Sequence, residues 1–137
     1  MTPFILPIVA TLFLGFSCSE QTSDRKGCEN VRNGRFMFHY RIEQKDLFQM
    51  IERRDSLQLE TDKETGYYTK LSIKWTDDCT YEALMVETTF PFPDSIQQIR
   101  RTIPFKTQIL KVTKDYYTFE SQRGNFPIIS DTMWIEK

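Results

Sequence analysis

Apolar and polar positions alternate through most of the chain from Cys28 onward. Gly34–Ile42 sets Phe36, Phe38, Tyr40 and Ile42 on one face and Arg35, Met37, His39 and Arg41 on the other, the two-residue period of a half-buried strand. Tyr67–Trp75 is the cleanest case, with Tyr67, Thr69, Leu71, Ile73 and Trp75 opposed to Tyr68, Lys70, Ser72 and Lys74. Leu47–Arg53 is less regular. Arg54-Asp55 interrupts it, and Ser56–Glu60 resumes with Leu57 and Leu59 in register, which predicts a hairpin. Thr61–Gly66 is a turn cluster in which Gly66 can take a positive φ.

Loop length fixes which residues meet across each hairpin. Thr76-Asp77-Asp78 turns the chain into a strand over Cys79–Thr89. A three-residue loop there sets Cys79, Tyr81, Ala83 and Met85 on the side of Trp75, Ile73 and Leu71; a two-residue loop opposes Ile73 to Glu82. The apolar match selects the former. Thr107–Gln122 predicts another hairpin, turning at Lys114-Asp115 and pairing Val112 with Tyr117 and Leu110 with Phe119. Thr132–Lys137 predicts a closing strand. Pro91, Pro93 and Pro104 exclude a central strand over residues 90–105. Within that segment Asp94-Ser95-Ile96-Gln97 resembles a helix cap, and Ile96, Ile99 and Ile103 recur at helical spacing, which predicts at most two helical turns. Seven or eight short strands on short loops predict an all-β fold, an antiparallel meander closed into a small barrel or folded as a sandwich. The barrel form resembles the lipocalins at the level of the fold, with Gly34-Arg35-Phe36 where they carry Gly-x-Trp near the start.

The N-terminal segment breaks this pattern. Phe4–Phe16 is an apolar run, and none of the first 17 residues is Asp, Glu, Lys or Arg. Its thirteen residues fall short of the roughly 20 that a bilayer-spanning helix needs. The break predicts a signal peptide over residues 1–17. Leu14-Gly15-Phe16-Ser17 before Cys18 resembles the cleavage site of bacterial lipoproteins, which implies that Cys18 becomes the lipidated first residue of the mature chain. Residues 18–27 then form a polar, flexible tether, and residues 28–137 a single β domain. The chain has three cysteines. With Cys18 taken by lipid, Cys28 and Cys79 remain, and export places them in an oxidising compartment, which predicts a Cys28–Cys79 disulfide. The spacing is not C-x-x-C, so the bridge is expected to be structural.

Two further stretches, Glu52–Glu60 (ERRDSLQLE) and Ile73–Tyr81 (IKWTDDCTY), resemble a group of short lipoproteins from Bacteroidota, many of which carry the name DNA topoisomerase IV. The resemblance implies a lipid-anchored envelope protein with a small β domain, expected at the periplasmic side of the outer membrane. It supplies no catalytic residues. Nothing in the chain supports the topoisomerase label: it has no ATP-binding fold, no room for a cleavage domain and no basic DNA channel.

Charge and candidate chemistry narrow the picture further. Lys+Arg 18 against Asp+Glu 19 gives a net charge of -1, which argues against a nucleic-acid partner. His39 is the only histidine. It could act as a base beside Glu43, but its place in an alternating strand favours a half-exposed wall residue. No G-x-S-x-G elbow accompanies it. No enzyme activity and no cofactor are expected. Asp77-Asp78 and Asp62-Lys63-Glu64 do not fit a Ca²⁺ loop and read as turns, so no metal is expected. Arg53-Arg54 and Arg100-Arg101 are the densest basic spots and read as solvated edges, with Glu52, Arg53 and Asp55 pairing at the surface.

Phe36, Phe38, Tyr40, Trp75, Tyr81 and Phe119 are the candidate lining of a cavity for a small apolar ligand. They could equally fill a solid core, which a chain of this length favours. The expected function is that of a non-enzymatic envelope lipoprotein, anchored to the membrane by its lipid, that binds a small apolar ligand in a β-barrel. The alternative is a structural or assembly lipoprotein docking an envelope protein through an outer face or the Pro-rich 90–105 segment. Exposed Phe90, Phe92 and Phe105 would favour that alternative.

Overall fold

The computed structural model describes residues 27–137. The expected leader over residues 1–17, the lipidation position Cys18 and the tether as far as residue 26 lie outside the described residues. A short 3₁₀ helix, Cys28–Val31, leads into β1 (Asn33–Ile42), β2 (Lys45–Arg54), β3 (Leu57–Asp62), β4 (Tyr68–Asp77) and β5 (Thr80–Thr88). Helix α1 (Asp94–Thr102) follows, then β6 (Phe105–Val112), β7 (Tyr116–Arg123) and β8 (Ile129–Ile135). The eight strands form one closed antiparallel barrel in which each strand pairs with its neighbours in the chain. Closure leaves no free sheet edge along the paired length, the usual remedy for exposed ladder groups. The seam is short, because β1 meets β8 only at Phe36–Ile135 and Met37–Trp134. It is extended by the Glu136 N–H, which donates to the Arg35 carbonyl at 3.0 Å.

Between β4 and β5 the predicted shared face holds, but the register is two residues from the one a Thr76–Asp78 loop gives. β4 continues to Asp77 through a bulge after Trp75, and Trp75 stands opposite Tyr81, Ile73 opposite Ala83 and Leu71 opposite Met85. The β6–β7 hairpin also pairs Val112 with Tyr117, as expected. The second expected pair is displaced by one residue: Ile109, and not Leu110, faces Phe119. A bulge at Leu110 causes this, inserting one extra residue and reversing the alternation on its far side. The β2–β3 hairpin forms as predicted, but its inner face is unexpected. Leu57 is exposed, while Gln58 and Asp62 are buried. The inward positions of β3 are therefore Gln58, Glu60 and Asp62, and the polar residues of this strand face the interior. Helix α1 has nine residues, two and a half turns where at most two were expected. Its N-cap is Pro93 with no side-chain cap, so Asp94 stands one residue inside the helix and does not cap it.

The barrel has two unlike ends. At one, the 3₁₀ helix is tied to the β4–β5 turn by the Cys28–Cys79 disulfide, with Cα atoms 5.3 Å apart. Asp77 shapes that turn by accepting the Cys79 N–H at 2.8 Å, and the neighbouring β2–β3 turn holds the end of the helix through Asp55 N–H to the Arg32 carbonyl at 3.1 Å. Arg32 lies 4.6 Å above the Trp75 ring. This end is closed. The other end carries the β1–β2, β3–β4 and β7–β8 loops and the α1 crossover, and it is open.

Candidate functional site

The floor of the barrel is built around a buried cation. Arg53, 1% exposed, projects inward from β2. Its Nε donates to Gln58 Oε1 at 2.7 Å and one terminal nitrogen to the Val31 carbonyl at 2.8 Å. The other donates to the Tyr117 hydroxyl at 2.9 Å and the Tyr81 hydroxyl at 3.1 Å. The guanidinium also lies over the rings of Tyr81, Phe36 and Tyr117, at 4.8, 5.1 and 5.7 Å. A buried charge is tolerable only when hydrogen-bonded in this way. Every one of these acceptors is neutral: burial holds the Tyr117 phenol above its ordinary range, so it does not ionise in compensation. Sequence order concealed this feature. In a strand, neighbours point to opposite sides, so of the Arg53-Arg54 pair only Arg54 reaches solvent, where it pairs with Glu52 at 3.2 Å. The expected surface cluster of Glu52, Arg53 and Asp55 does not form.

Above this floor the interior is hollow. A cavity of about 470 Å³ opens toward the mouth, within the size range of small-molecule sites and room for about fifteen waters. Its apolar wall includes Phe38, Ile51, Leu71, Ala83, Phe105, Phe119 and Met133. The Pro-rich crossover covers part of the opening: α1 turns Ile96, Ile99 and Arg100 to the cavity, the β7–β8 loop adds Phe126 and Pro127, and β8 adds its first residue, Ile129. Gln49, Gln58, Glu60, Thr107, Ser121 and Arg123 are the other polar lining groups. The Thr107 and Ser121 hydroxyls satisfy one another across β6 and β7 at 2.7 Å.

A polar chain links floor and cavity. Gln58, held by Arg53, donates its Nε2–H to Glu60 Oε1 at 2.9 Å. Burial pushes the Glu60 carboxyl above the ordinary carboxylate range, against the pull of the Gln58 hydrogen bond and of the Arg100, Arg53 and Arg123 charges. Arg123 donates to the Ile103 carbonyl at 2.7 Å and stands 5.0 Å over the Phe105 ring. Burial lowers its affinity for a proton, and the Arg100 charge adds to the effect. Arg100 stacks at 4.2 Å on Phe92. This basic pair too is split: Arg100 faces the cavity, and Arg101 turns away to the Val86 carbonyl at 2.7 Å.

The raised Glu60 carboxyl has a consequence for stability. The folded chain holds this proton more tightly than the unfolded chain, so stability falls as pH rises from the ordinary carboxylate range through the Glu60 titration. Glu60→Gln is expected to raise stability at neutral pH and to flatten that part of the profile, as read by urea midpoints across pH. An unchanged profile would show that Glu60 is as well solvated in the fold as in the unfolded chain.

Of the six aromatics expected to line a cavity, Phe38, Tyr81 and Phe119 do so. Phe36 lies deeper, packed edge-on to Tyr117 at 5.6 Å beneath the cavity floor. Trp75 sits at the closed end, its indole N–H donating to the Asp55 carbonyl at 3.0 Å. Tyr40 stacks on Phe38 at 5.7 Å, toward the mouth. These three share the inner face that alternation assigned to them but lie at other heights along the axis, which periodicity alone does not report. Gln58, Glu60, Arg100 and Arg123 were not anticipated as lining residues. The packed-core expectation describes the floor half of the interior, and the cavity occupies the other half.

The remaining candidates lie elsewhere. His39 is on the outer wall, bonded at 2.9 Å to Asp46 and not to Glu43, and stacked on Phe48 at 4.7 Å. Asp62 is spent on its turn, accepting from the Thr65 N–H at 2.8 Å and the Glu64 N–H at 3.0 Å. Among the described residues no three His, Cys, Asp or Glu side chains gather to hold a metal ion. Comparison with protein-family models, curated proteins and solved structures gave no match to this chain.

Proposed function

We propose that this protein is a non-enzymatic carrier or sensor of a small, largely apolar ligand held in the open half of its barrel. One observation carries the reading: a cavity of about 470 Å³, walled mainly by apolar side chains, over a rigid polar floor. Interiors of this kind are otherwise packed to near crystal density, and an open, largely apolar cavity of this size is the usual form of a small-molecule site. The lipoprotein-like Cys18 and the leader before it add a membrane anchor and an envelope location to the proposal. Docking of a protein partner through residues 90–105 draws less support. Phe90 and Phe92 stack on each other at 4.8 Å, Phe105 lines the cavity, and all three rings are half-buried.

Native mass spectrometry of the full chain after exposure to a total lipid extract tests the proposal. A retained small molecule of discrete mass is expected, and a clean unliganded mass after saturation would overturn it. Ala83 lines the cavity wall, so Ala83→Phe fills the void without touching the floor. It is expected to weaken uptake of a neutral apolar dye more than tenfold while leaving the circular-dichroism spectrum unchanged. Undiminished uptake would place the binding elsewhere.

A further inference from the structure

The charges inside the cavity do not balance. Arg100 and Arg123 both line it, against a single lining carboxylate, Glu60. A third cation, Arg53, lies below with only neutral partners. Neither lining arginine forms a close ion pair among the described residues: Arg123 donates to a backbone carbonyl, and Arg100 lies over the face of Phe92. Glu60 acts on both through its charge but forms a close ion pair with neither, its carboxyl being hydrogen-bonded to Gln58, so one carboxylate faces two lining cations. The two guanidiniums are near enough that the charge of Arg100 opposes protonation of Arg123, a repulsion that an anion between them would relieve. Arginine presents several N–H donors in a fixed fork, suited to carboxylate or phosphate oxygens. The rest of the wall is apolar and suits a hydrocarbon chain.

We propose that the cavity takes a single-chain amphiphile with an anionic headgroup, seated between Arg100 and Arg123, its chain lying against Phe38, Leu71, Phe105 and Phe119. This rests on the reading of the barrel as a ligand carrier and names the class of ligand. A carboxylate and a phosphate monoester offer the same oxygens to the arginines, so the headgroup chemistry is common to both.

Displacement of a neutral apolar dye from the full chain by four amphiphiles of equal length tests it: dodecanoate, dodecyl phosphate, dodecanol and dodecylamine. At least one anion is expected to bind about tenfold more tightly than dodecanol, and the order of the two anions names the headgroup. Arg100→Gln, on a helix that contributes nothing to the barrel ladder, is expected to weaken anion binding about tenfold and leave dodecanol unchanged. Glu60→Gln is expected to strengthen it, since a competing carboxylate is removed. If dodecanol and both anions bind alike, the anion subsite is overturned and the carrier reading stands. Tighter binding of dodecylamine would also overturn it, making Glu60 the headgroup partner. If neither the dye nor any amphiphile binds, both readings fall.

Discussion

Arg53→Met is expected to cost about 4 kcal/mol of folding stability, seen as a fall of roughly 3 M in the urea midpoint. Methionine fills the stem of the side chain but supplies no donors. The Gln58 amide oxygen, the Val31 carbonyl and the hydroxyls of Tyr81 and Tyr117 then lose the partner that joins β2 to β3, β5, β7 and the 3₁₀ helix. Each buried group left unsatisfied costs about 1–3 kcal/mol, with some recovery as the tyrosines rearrange. Tyr117→Phe is the control: it removes one acceptor, leaves Arg53 three others, and is expected to cost about 1 kcal/mol. Equal costs for the two substitutions would mean that the cation contributes only through its contact with Tyr117.

The second large effect comes from the bridge at the same end. Replacing Cys28 and Cys79 together by alanine frees a loop with a sequence separation of 51, and on the chain-entropy model the loss is about 4 kcal/mol. Reductant is expected to produce the same shift in the unmodified protein and none in the variant. A shift below about 1 kcal/mol would show that the 3₁₀ helix holds its place without the bridge. The two perturbations are coupled through Val31, which takes a hydrogen bond from Arg53 three residues after the bridged Cys28. The triple variant is therefore expected to lose less than the sum of the separate losses.

The strands were legible because alternation is a geometric consequence of the pleat. On β4–β5 the apolar match told which residues share a face, though not which residue opposes which across a turn that carries a bulge. The β6–β7 pairing was legible only up to its bulge. An inserted residue has no signature when Ile109 and Leu110 are both apolar, and burial of the first selects it. The polar site was the least legible part. Alternation reports which residues share a face, and apolar content is then taken to mark the inside. On β3 that assumption fails, since Leu57 is outside and Gln58 and Glu60 are inside, where Arg53, Arg100 and Arg123 supply compensating charge. Adjacent arginines suggested a solvated surface for the same reason. Only knowledge that position 53 faces position 58 across a hairpin, with Tyr81 and Tyr117 closing over both, shows that an arginine is satisfied there.

Where the chain joins the barrel sets how the molecule is held. Gly27 leads directly into the bridged 3₁₀ helix, so the described fold begins beneath its floor, and the mouth with α1 and Phe126 lies at the far end. With Cys18 as the anchor, as proposed, the protein is a cup tethered by its base. Its tether then enters at the closed end and leaves the opening uncovered. Attachment and exchange of cargo, on that proposal, fall at opposite ends of the barrel, so neither obstructs the other.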